Sequence, residues 1–514
     1  MSKTIIIIGA GLAGLSAALQ AAENGCNVKL VSSLPSERAQ SVMAEGGINA
    51  ALNTKDENDS PEEHFTDTIK AACGLADPNA VWGMTQAAPE LVHWLLKLGV
   101  KFNMSGYDDV DLRNFGGQKK KRTAFAQSDT GKQIMTAMID AVRRKEASGM
   151  VERFSHHSFL TLRLCGNICC GCVIRDEYSQ ETVELPGDAV IVATGGMHGL
   201  FGNTTGSLSN TGEVTAELFR LGVPLANGEM IQYHPTTVKC GGKRMLISEA
   251  ARGEGGRLFA MKDGKQWYFM EEKYPELGNL MPRDITAREI WKVSHESEVF
   301  LDMTEISKEV ISNKLSGLAD DCMTYLHKDI RKEPVPVLPG IHYFMGGILV
   351  DEQHRTPIQN LYAAGECCAQ YHGANRLGGN SLLGALYGGR VAAKSACEQA
   401  DVVDLSCATQ IDFPPASQIS EIKQLNKVMQ ETMGVVRNEN TLLNGIQTVQ
   451  ALTGNLPLLG MAVLKSALAR KESRGAHWRE DYPKSNDNDY LKTTVARFDG
   501  KQIQISFVPV PERR

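Results

Sequence analysis

The sequence predicts an α/β fold organised around a Rossmann-type dinucleotide-binding sheet, and three segments support this prediction. IIIIGAGLAGLSAALQAAENG begins as a buried strand, passes through a glycine-rich turn and continues as an Ala/Leu-rich helix. GDAVIVATGG at 187–196 and NLYAAGECCA at 360–369 are two further strands that end in small residues. Because these segments lie far apart in the chain, the sheet has to be assembled from distant parts of the sequence.

The first turn carries the glycine spacing GxGxxG, which is a weak signal alone but is supported here by the strand before it and the helix after it. Gly9 permits the tight turn, Gly11 lets the backbone approach a pyrophosphate, and Gly14 lets the helix pack closely on the strand. Ser32 and Ser33 stand near the end of the second strand, where an acidic residue for a ribose is expected.

The wide spacing of the three strands indicates FAD and not NAD. NAD-binding domains usually complete their sheet within one continuous stretch, whereas large FAD-binding folds collect strands from across the chain. A buried strand with no relation to a cofactor would explain any one of these segments, but it is a poor explanation of all three together.

Composition sets limits on the function. A chain of 514 residues predicts two or three domains, and 42% apolar with 22% charged residues is typical of a globular protein. The net charge of −6 predicts no nucleic-acid partner, and no apolar run is long enough to span a membrane. The N-terminus enters a strand and does not resemble a signal peptide. We therefore expect a cytoplasmic protein.

Twelve cysteines in such a chain are expected to be thiols. Four of them crowd into CGNICCGC at 165–172, which suggests either a metal site or a hairpin with small residues in it. The flanking segments resemble strands, and the spacings match neither zinc nor ferredoxin patterns, so we favour the hairpin and predict no metal.

Four further regions are rich in histidine, arginine and glycine. A lone histidine is usually structural and glycine pairs usually mark turns, so each region alone has an ordinary explanation. Together they place five basic side chains beside Gly or Pro, on expected loops at strand ends. Such side chains suit a small dianionic substrate, since the planar arginine fork binds carboxylates. The five residues are His234, Arg252, Arg283, His342 and Arg376.

MPRDITAREI at 281–290 has two interpretations. Pro282 and Asp284 suit the start of a helix, and Arg288 follows Asp284 by four residues, so the segment fits a solvated helix N-terminus. Arg283 at this start could instead take part in chemistry, and these residues alone leave both interpretations open.

The chain resembles the flavoprotein subunit of succinate dehydrogenase and fumarate reductase, with L-aspartate oxidase as a close relative. The resemblance runs from about residue 4 to about residue 485 and includes AEGGINAALN, RGEGG, PRD, HYFMGGI, HGANRLGGNSLLG and KESRGAHWREDYP. It implies a Rossmann-type FAD-binding domain split by an inserted α+β capping domain, followed by a C-terminal helical region. The implied boundaries are 1–230 and 335–400 for the FAD-binding domain, 231–334 for the capping domain, and 415–514 for the C-terminal helical domain and tail. DFPPAS at 412–417 is the expected linker.

The resemblance also implies roles for individual side chains. Arg283 would transfer the proton to substrate, and Glu249 and Arg252 would relay protons to it. A second group would hold or surround the substrate carboxylates, namely His234, Ser248, His342, Arg376, Phe115 and Gly116. A third group would contact FAD, namely Gly9, Ala10, Gly11, Gly14, Ser32, Ala44, Glu45, Gly46, Gly47, Ala193, Thr194, Gly195, Glu213, Glu366, Asn380, Ser381 and Leu382.

Three positions depart from the family pattern. Gln40 stands where the multi-subunit enzymes have the histidine that attaches FAD covalently, so we expect non-covalent FAD. Glu213 replaces a usual Asp, and in QSDTG Ser128 and Asp129 replace a usual Asp and a usual basic residue. These two changes leave details of the FAD contacts open.

The motifs divide between two activities. HYFMGG and RNFGGQKKKRT resemble fumarate reductases, whereas SEAARGEGG, MPRDITAREI and FLDMTEI resemble aspartate oxidases. We favour reduction of fumarate to succinate over oxidation of aspartate to iminoaspartate. A flavin electron-transfer protein without its own substrate is a third hypothesis, but it has no use for a dicarboxylate site. The tail resembles subunits that dock an iron–sulfur protein, which would place the chain at the inner face of a membrane through partner subunits.

Overall fold

The computed structural model describes residues 2–106, 109–401, 413 and 418–514. The predicted linker DFPPAS lies outside these residues except at Phe413. Within the described part, the strands in chain order are β1 (Thr4–Ile8), β2 (Asn27–Ser32), β3 (Ile48–Asn49), β4 (Leu112–Arg113), β5 (Thr123–Ala124), β6 (Val151–Ser155), β7 (His157–Cys165), β8 (Ile168–Asp176), β9 (Thr182–Pro186), β10 (Ala189–Val192), β11 (Leu225–Ala226), β12 (Ile231–Cys240), β13 (Lys243–Leu246), β14 (Arg257–Lys262), β15 (Lys265–Trp267), β16 (Val299–Asp302), β17 (Val335–Pro336), β18 (Leu338–Phe344), β19 (Gly347–Leu349), β20 (Leu361–Ala363), β21 (Cys368–Ala369), β22 (Lys492–Phe498) and β23 (Ile503–Pro509).

The α-helices of the same described residues are α1 (Leu12–Glu23), α2 (Pro61–Ala71), α3 (Pro78–Leu98), α4 (Thr130–Ala147), α5 (Glu213–Arg220), α6 (Glu249–Gly253), α7 (Phe269–Lys273), α8 (Arg283–Val293), α9 (Lys308–Lys314), α10 (Ser316–Asp321), α11 (Asn380–Gln399), α12 (Ile419–Thr432), α13 (Glu439–Val449), α14 (Asn455–Ala469) and α15 (Asp487–Tyr490).

A five-stranded parallel sheet, ordered β20-β10-β1-β2-β6, forms the centre of the fold. The strand residues of β1 and β10 are almost entirely buried, as their unbroken apolar runs predict for a parallel sheet covered on both faces. Helices α1 and α11 lie side by side and share one hydrophobic core with this sheet. The sheet brings together the three strand segments found in the sequence, so the Rossmann-type prediction is confirmed.

The region between β11 and β18 contains its own sheets and its own core. Strands β13, β12 and β18 form one antiparallel sheet, and β15, β14, β16 and β17 form another. A separate hydrophobic cluster includes Ile247, Leu258, Ile290 and Leu301. This mixed α and β region carries α6 and α8, the two helices on which the active-site predictions depend.

The C-terminal part packs α12 and α14 on the same cluster as Phe201, Phe219 and Phe344, which agrees with the C-terminal helical region that the resemblance implies. The last segment, which the resemblance implies to be a tail, forms two strands. Strands β22 and β23 form a hairpin that joins β11 in a second five-stranded sheet. Alternating side chains in TTVARF and ISFV, joined through Asp499-Gly500, explain the hairpin.

The cysteine-rich segment is a hairpin, as predicted: β7 and β8 pair antiparallel, and Cys169 and Cys172 are buried in β8. Ten cysteines are free thiols in the part of the chain that is described. Cys165 is disulfide-bonded, so the expectation of thiols throughout is wrong at this position.

Two searches bear on the environment of the chain. None of the helices formed by the described residues has both the length and the apolar character needed to cross a membrane. The same residues contain no group of three or more His, Cys, Asp or Glu side chains arranged to hold a metal ion.

Candidate active site

The turn between β1 and α1 packs against the end of β10. Gly9 has a φ of +112°, and a Cβ atom there would lie 2.2 Å from the carbonyl oxygen of Ala193. A Cβ at Gly14 would lie 1.8 Å from the carbonyl oxygen of Gly9. At Gly11 the nearest atom is 3.7 Å away, which leaves room beside the N-terminus of α1. This geometry fits a pyrophosphate at the helix N-terminus.

The other residues predicted to contact FAD are distributed around the same edge of the sheet. Ser32 ends β2, and its buried hydroxyl has no partner among the described residues, which fits a ribose at this point. Thr194 and Gly195 follow β10, Glu366 follows β20, and Asn380 begins α11. Ala10 lies in the β1–α1 turn, and Ser381 and Leu382 continue α11. The residues present therefore fit FAD.

Glu213 is exposed at the start of α5. Glu213 belongs to the segment that packs beside Gly195. A Cβ atom added at Gly195 would lie 2.6 Å from the side chain of Asn210, three residues before Glu213. Glu213 is the residue that departs from the family pattern, and the structure puts it on the segment beside the predicted cofactor edge.

The segment Ala44–Gly47 separates the predicted cofactor edge from the basic residues. Gly131 N–H donates to the Ala44 carbonyl oxygen at 2.7 Å, and a Cβ at Gly46 would lie 2.9 Å from Phe115. Glu45 is held by Ser248, and burial raises the pKa of its carboxyl to about 8. One carboxyl oxygen of Glu45 is buried and has no hydrogen-bond partner among the described residues. This oxygen lies between the predicted cofactor edge and the basic residues.

Gln40 and the nearest histidine downstream lie in different environments. Gln40 begins a short helical turn, Gln40–Met43, that is partly exposed. His64 is buried in α2, and its Nε2 lies 2.9 Å from Asn380 Oδ1. Burial lowers the pKa of His64 to about 3, so the ring is neutral at pH 7.

Arg283 is held by one carboxylate. It is the first residue of α8, with Pro282 as the N-cap, so the helix-start interpretation of MPRDITAREI is confirmed. Its guanidinium is 7% exposed and lies against Glu249 Oε2, with Nε at 2.7 Å and Nη2 at 2.6 Å. Arg288, one turn further along, packs on the ring of Trp478 at 4.0 Å and does not join this carboxylate.

Arg252 approaches the other oxygen of Glu249. Its Nη2 lies 3.3 Å from Glu249 Oε1, and its Nη1 donates to the carbonyl oxygen of Asn279 at 2.7 Å. Gly116 N–H also donates to Oε1 at 3.1 Å. Burial opposes ionisation of Glu249, but Arg283 and Arg252 outweigh it and lower its pKa. Two buried cations therefore share a single anion, which leaves net positive charge for an anionic ligand.

The remaining basic residues lie close to this cluster. The rings of His234 and His342 have centroids 5.2 Å apart, and Thr205 Oγ lies 2.7 Å from His342 Nδ1. Burial, followed by the charge of Arg283, holds the pKa of each histidine well below its usual value, so both are neutral at pH 7. Arg376 stacks over the ring of Tyr343 at 4.4 Å, and burial lowers its pKa to about 9.

Gln232 connects these groups and was missed by sequence reasoning. Its Oε1 accepts from Arg283 Nη1 at 3.1 Å, while its Nε2 donates to Asn375 Oδ1 at 2.9 Å and to the Arg376 carbonyl oxygen at 2.8 Å. The signal was present, since Gln232 and His234 are two residues apart in β12 and so lie on one face of the strand.

Ser248 and Phe115 occupy the border of the cluster. Ser248 is the N-cap of α6, where its hydroxyl accepts from Ala250 N–H at 3.4 Å. Phe115 is buried, and a Cβ added at Gly378 would meet its ring at 3.0 Å. The structure therefore brings all the predicted catalytic and substrate-binding residues into one region, beside the segment Ala44–Gly47.

A Rossmann sheet with this cofactor edge, next to buried basic side chains, defines a flavin-dependent oxidoreductase. The FAD binding domain family matches residues 4–382, and the C-terminal domain of the fumarate reductase flavoprotein matches residues 452–513. The chain belongs to the family of succinate dehydrogenase and fumarate reductase flavoprotein subunits, FAD-dependent oxidoreductases that act on a CH–CH bond.

Two relatives and one solved structure illustrate the similarity of the chain to this family. The chain is 38% identical to the succinate dehydrogenase flavoprotein subunit of Bacillus subtilis over 576 aligned positions, covering 100% of this chain and 98% of that protein. It is 31% identical to the L-aspartate oxidase of Streptomyces coelicolor, covering 100% and 94%. Its fold matches a mutant of the Escherichia coli quinol fumarate reductase flavoprotein with a TM-score of 0.90 at 27% identity, covering 99% and 97%.

The shared carboxylate predicts a large effect on stability. Replacing Glu249 by Gln leaves Arg283 and Arg252 buried without an anion, and loss of one partner of a buried pair costs about 3–5 kcal/mol. We expect Glu249→Gln to lower the free energy of unfolding by about 3 kcal/mol or more. Denaturant unfolding of the purified protein measures this.

Glu254→Gln is the matched control. Glu254 pairs with Lys314 at 3.1 Å, but this pair is partly exposed, so its loss should cost under about 1 kcal/mol. Equal losses of stability in the two variants would show that Glu249 does not compensate the charges of two buried arginines as described above.

Proposed function

We propose that this protein reduces fumarate to succinate with FAD, and that Arg283 donates the proton. The observation that supports this is the buried cluster in which Glu249 holds Arg283 at 2.7 and 2.6 Å, next to His234, His342 and Arg376. A site with excess buried positive charge favours a compact dianion. Succinate oxidation is the reverse of the same reaction, and one relative is named for it.

Bound FAD would supply the hydride, which forms a C–H bond at one carbon as the π bond breaks. The neighbouring carbon then needs a proton. A free arginine has a pKa above about 12 and is a weak acid. The carbon it faces gains strongly basic carbanion character, however, so a positioned and desolvated guanidinium can serve. Arg283 gives up the proton, and a proton from solvent would return to it by way of Arg252 and the Glu249 carboxylate.

The substrate carboxylates would be held by His234, Ser248, His342 and Arg376. Both imidazoles are neutral at pH 7 and can donate N–H hydrogen bonds without adding charge. Clamping both carboxylates can twist one of them out of conjugation and polarise the double bond, a contribution of about 1–5 kcal/mol. Phe115 and Gly116 would form the adjoining wall of the pocket.

We propose that residues 231–334 act as a capping domain, because they contribute Glu249, Arg252 and Arg283 and have a hydrophobic core of their own. Closure of such a domain would exclude water and bring Arg283 to the substrate. Relatives named as flavoprotein subunits of succinate dehydrogenase and of fumarate reductase support an iron–sulfur partner subunit as electron donor.

We further propose that FAD is bound without a covalent link, because Gln40 has no nucleophilic ring nitrogen and His64 is buried against Asn380. A covalent link raises the flavin potential, so its absence favours fumarate reduction. Acid precipitation should leave yellow flavin in the supernatant. Flavin that pellets with the polypeptide, or that migrates with it in a denaturing gel, would contradict this.

Glu249 also bears on the choice between fumarate and aspartate. Aspartate carries an ammonium group that needs an acceptor, and Glu249 was the candidate from sequence. Both of its oxygens are occupied, Oε2 by Arg283 and Oε1 by Arg252 and Gly116. This argues against the aspartate oxidase alternative. An electron carrier without a substrate is disfavoured because it has no use for a dicarboxylate site.

One FAD-replete preparation tests this choice. We expect rapid anaerobic turnover of fumarate with a reduced low-potential dye, and slow or absent oxidation of aspartate with oxygen. Succinate, malonate and oxaloacetate should compete with fumarate. A larger kcat/KM for aspartate than for fumarate would identify an aspartate oxidase, and reduced flavin that does not respond to fumarate would indicate an electron carrier.

A further inference from the structure

His198 is a buried histidine that the proposed reaction does not use. It begins the short helical turn His198–Leu200, six residues beyond the end of β10, and it is fully buried. Its Nε2 lies 3.6 Å from Glu366 Oε1, and Nε2 has no hydrogen-bond partner among the described residues. Glu366 is one of the residues predicted to contact FAD, so this unpartnered nitrogen faces the cofactor side of the sheet.

The other ring nitrogen indicates which tautomer is present. His198 Nδ1 lies 3.0 Å from Thr204 Oγ1, and the same hydroxyl accepts from Gly206 N–H at 3.2 Å. This hydroxyl can donate to Nδ1 or accept from it, and the Glu366 carboxylate beside Nε2 favours the arrangement in which it donates. With Nδ1 accepting, the ring proton is on Nε2. The N–H that results points toward the Glu366 carboxylate.

Packing fixes the ring in this position. A Cβ at Gly206 would lie 2.1 Å from His198 Cε1, so the imidazole occupies the space that the glycine leaves. On another side, the rings of His198 and Phe344 meet edge to face with centroids 5.0 Å apart. The backbone N–H of Phe344 donates to the same Glu366 Oε1 at 3.1 Å. Phe344 N–H thus hydrogen-bonds this carboxylate oxygen, and His198 Nε2 makes a longer, electrostatic contact with the same oxygen.

We propose that His198 is a positioning residue that holds the Glu366 carboxylate in one orientation for FAD. A carboxylate with N–H groups on one of its oxygens is kept in one rotamer, ready to accept a hydrogen bond from the cofactor. The proposal rests on FAD binding at this edge of the sheet and not on the identity of the substrate. It therefore stands or falls independently of fumarate reduction.

Two substitutions of His198 distinguish the roles of its two ring nitrogens. The amide nitrogen of Gln reaches the position of Nε2, whereas that of Asn reaches only the position of Nδ1. We expect His198→Asn to weaken FAD binding about tenfold, as for loss of one polar partner of a carboxylate. His198→Gln should restore most of the affinity. FAD dissociation constants are measured by quenching of flavin fluorescence on the deflavinated protein, with unfolding curves as a check on folding.

A double-mutant cycle with Glu366→Gln gives the decisive comparison. If His198 acts through the carboxylate, His198→Asn has little further effect on FAD affinity in the Glu366→Gln background. Equal losses of affinity in both backgrounds, or equal losses for His198→Asn and His198→Gln, would overturn the proposal. If His198→Asn does not fold, the FAD affinities of Thr204→Val and Thr204→Ser are compared in its place. Equal affinities of these two variants would also overturn the proposal. If FAD proves to be covalent, the same comparisons are made on the flavin midpoint potential.

Discussion

The active-site geometry depends on one carboxylate, Glu249, that is shared by two buried arginines. Oε2 binds Arg283 at 2.6 and 2.7 Å, and Oε1 lies 3.3 Å from Arg252. Burying these guanidinium groups without an anion would cost about 3–5 kcal/mol. The same contact fixes the direction of Arg283, and it leaves the region with more positive than negative charge. Positioning of the proton donor and attraction of a dianion therefore have one physical origin.

The surrounding elements converge on this contact from separate parts of the chain. Helix α6 supplies Glu249 and Arg252, helix α8 supplies Arg283, and β12 supplies Gln232 and His234. Gln232 ties Arg283 to the segment that carries Arg376. On the cofactor side, the loop after β10 contains both Thr204, which contacts His198, and Thr205, which contacts His342. One loop thus links the predicted cofactor edge with the predicted substrate residues.

The sequence predicted the central sheet well because its signals are local. An apolar run followed by small residues marks a buried parallel strand, and Gly9, Gly11 and Gly14 mark the first turn. The partnership of Glu249 with Arg283 spans 34 residues and two helices, so no local pattern contains it, and it was reached only through the family resemblance. In MPRDITAREI the residues themselves favoured a helix start and left a chemical role for Arg283 open.

Other features had signals that were available but weak. Gln232 lies two residues before His234, so strand alternation places both on one face. The β22–β23 hairpin had alternating residues around Asp499-Gly500. His198 was overlooked because a lone histidine is usually structural, and only the spatial arrangement shows that its Nε2 faces Glu366.

The most direct test of the account is the single-turnover rate at which fumarate reoxidises the reduced flavin, compared between Arg283→Ala and Arg288→Ala. Both arginines lie on α8, but only Arg283 binds Glu249. The account predicts that Arg283→Ala retains FAD and loses rate by a factor on the order of 10²–10⁴, the usual cost of removing a positioned proton donor. Arg288→Ala should keep most of the rate. Similar rates in the two variants would contradict the assignment of the proton donor to Arg283.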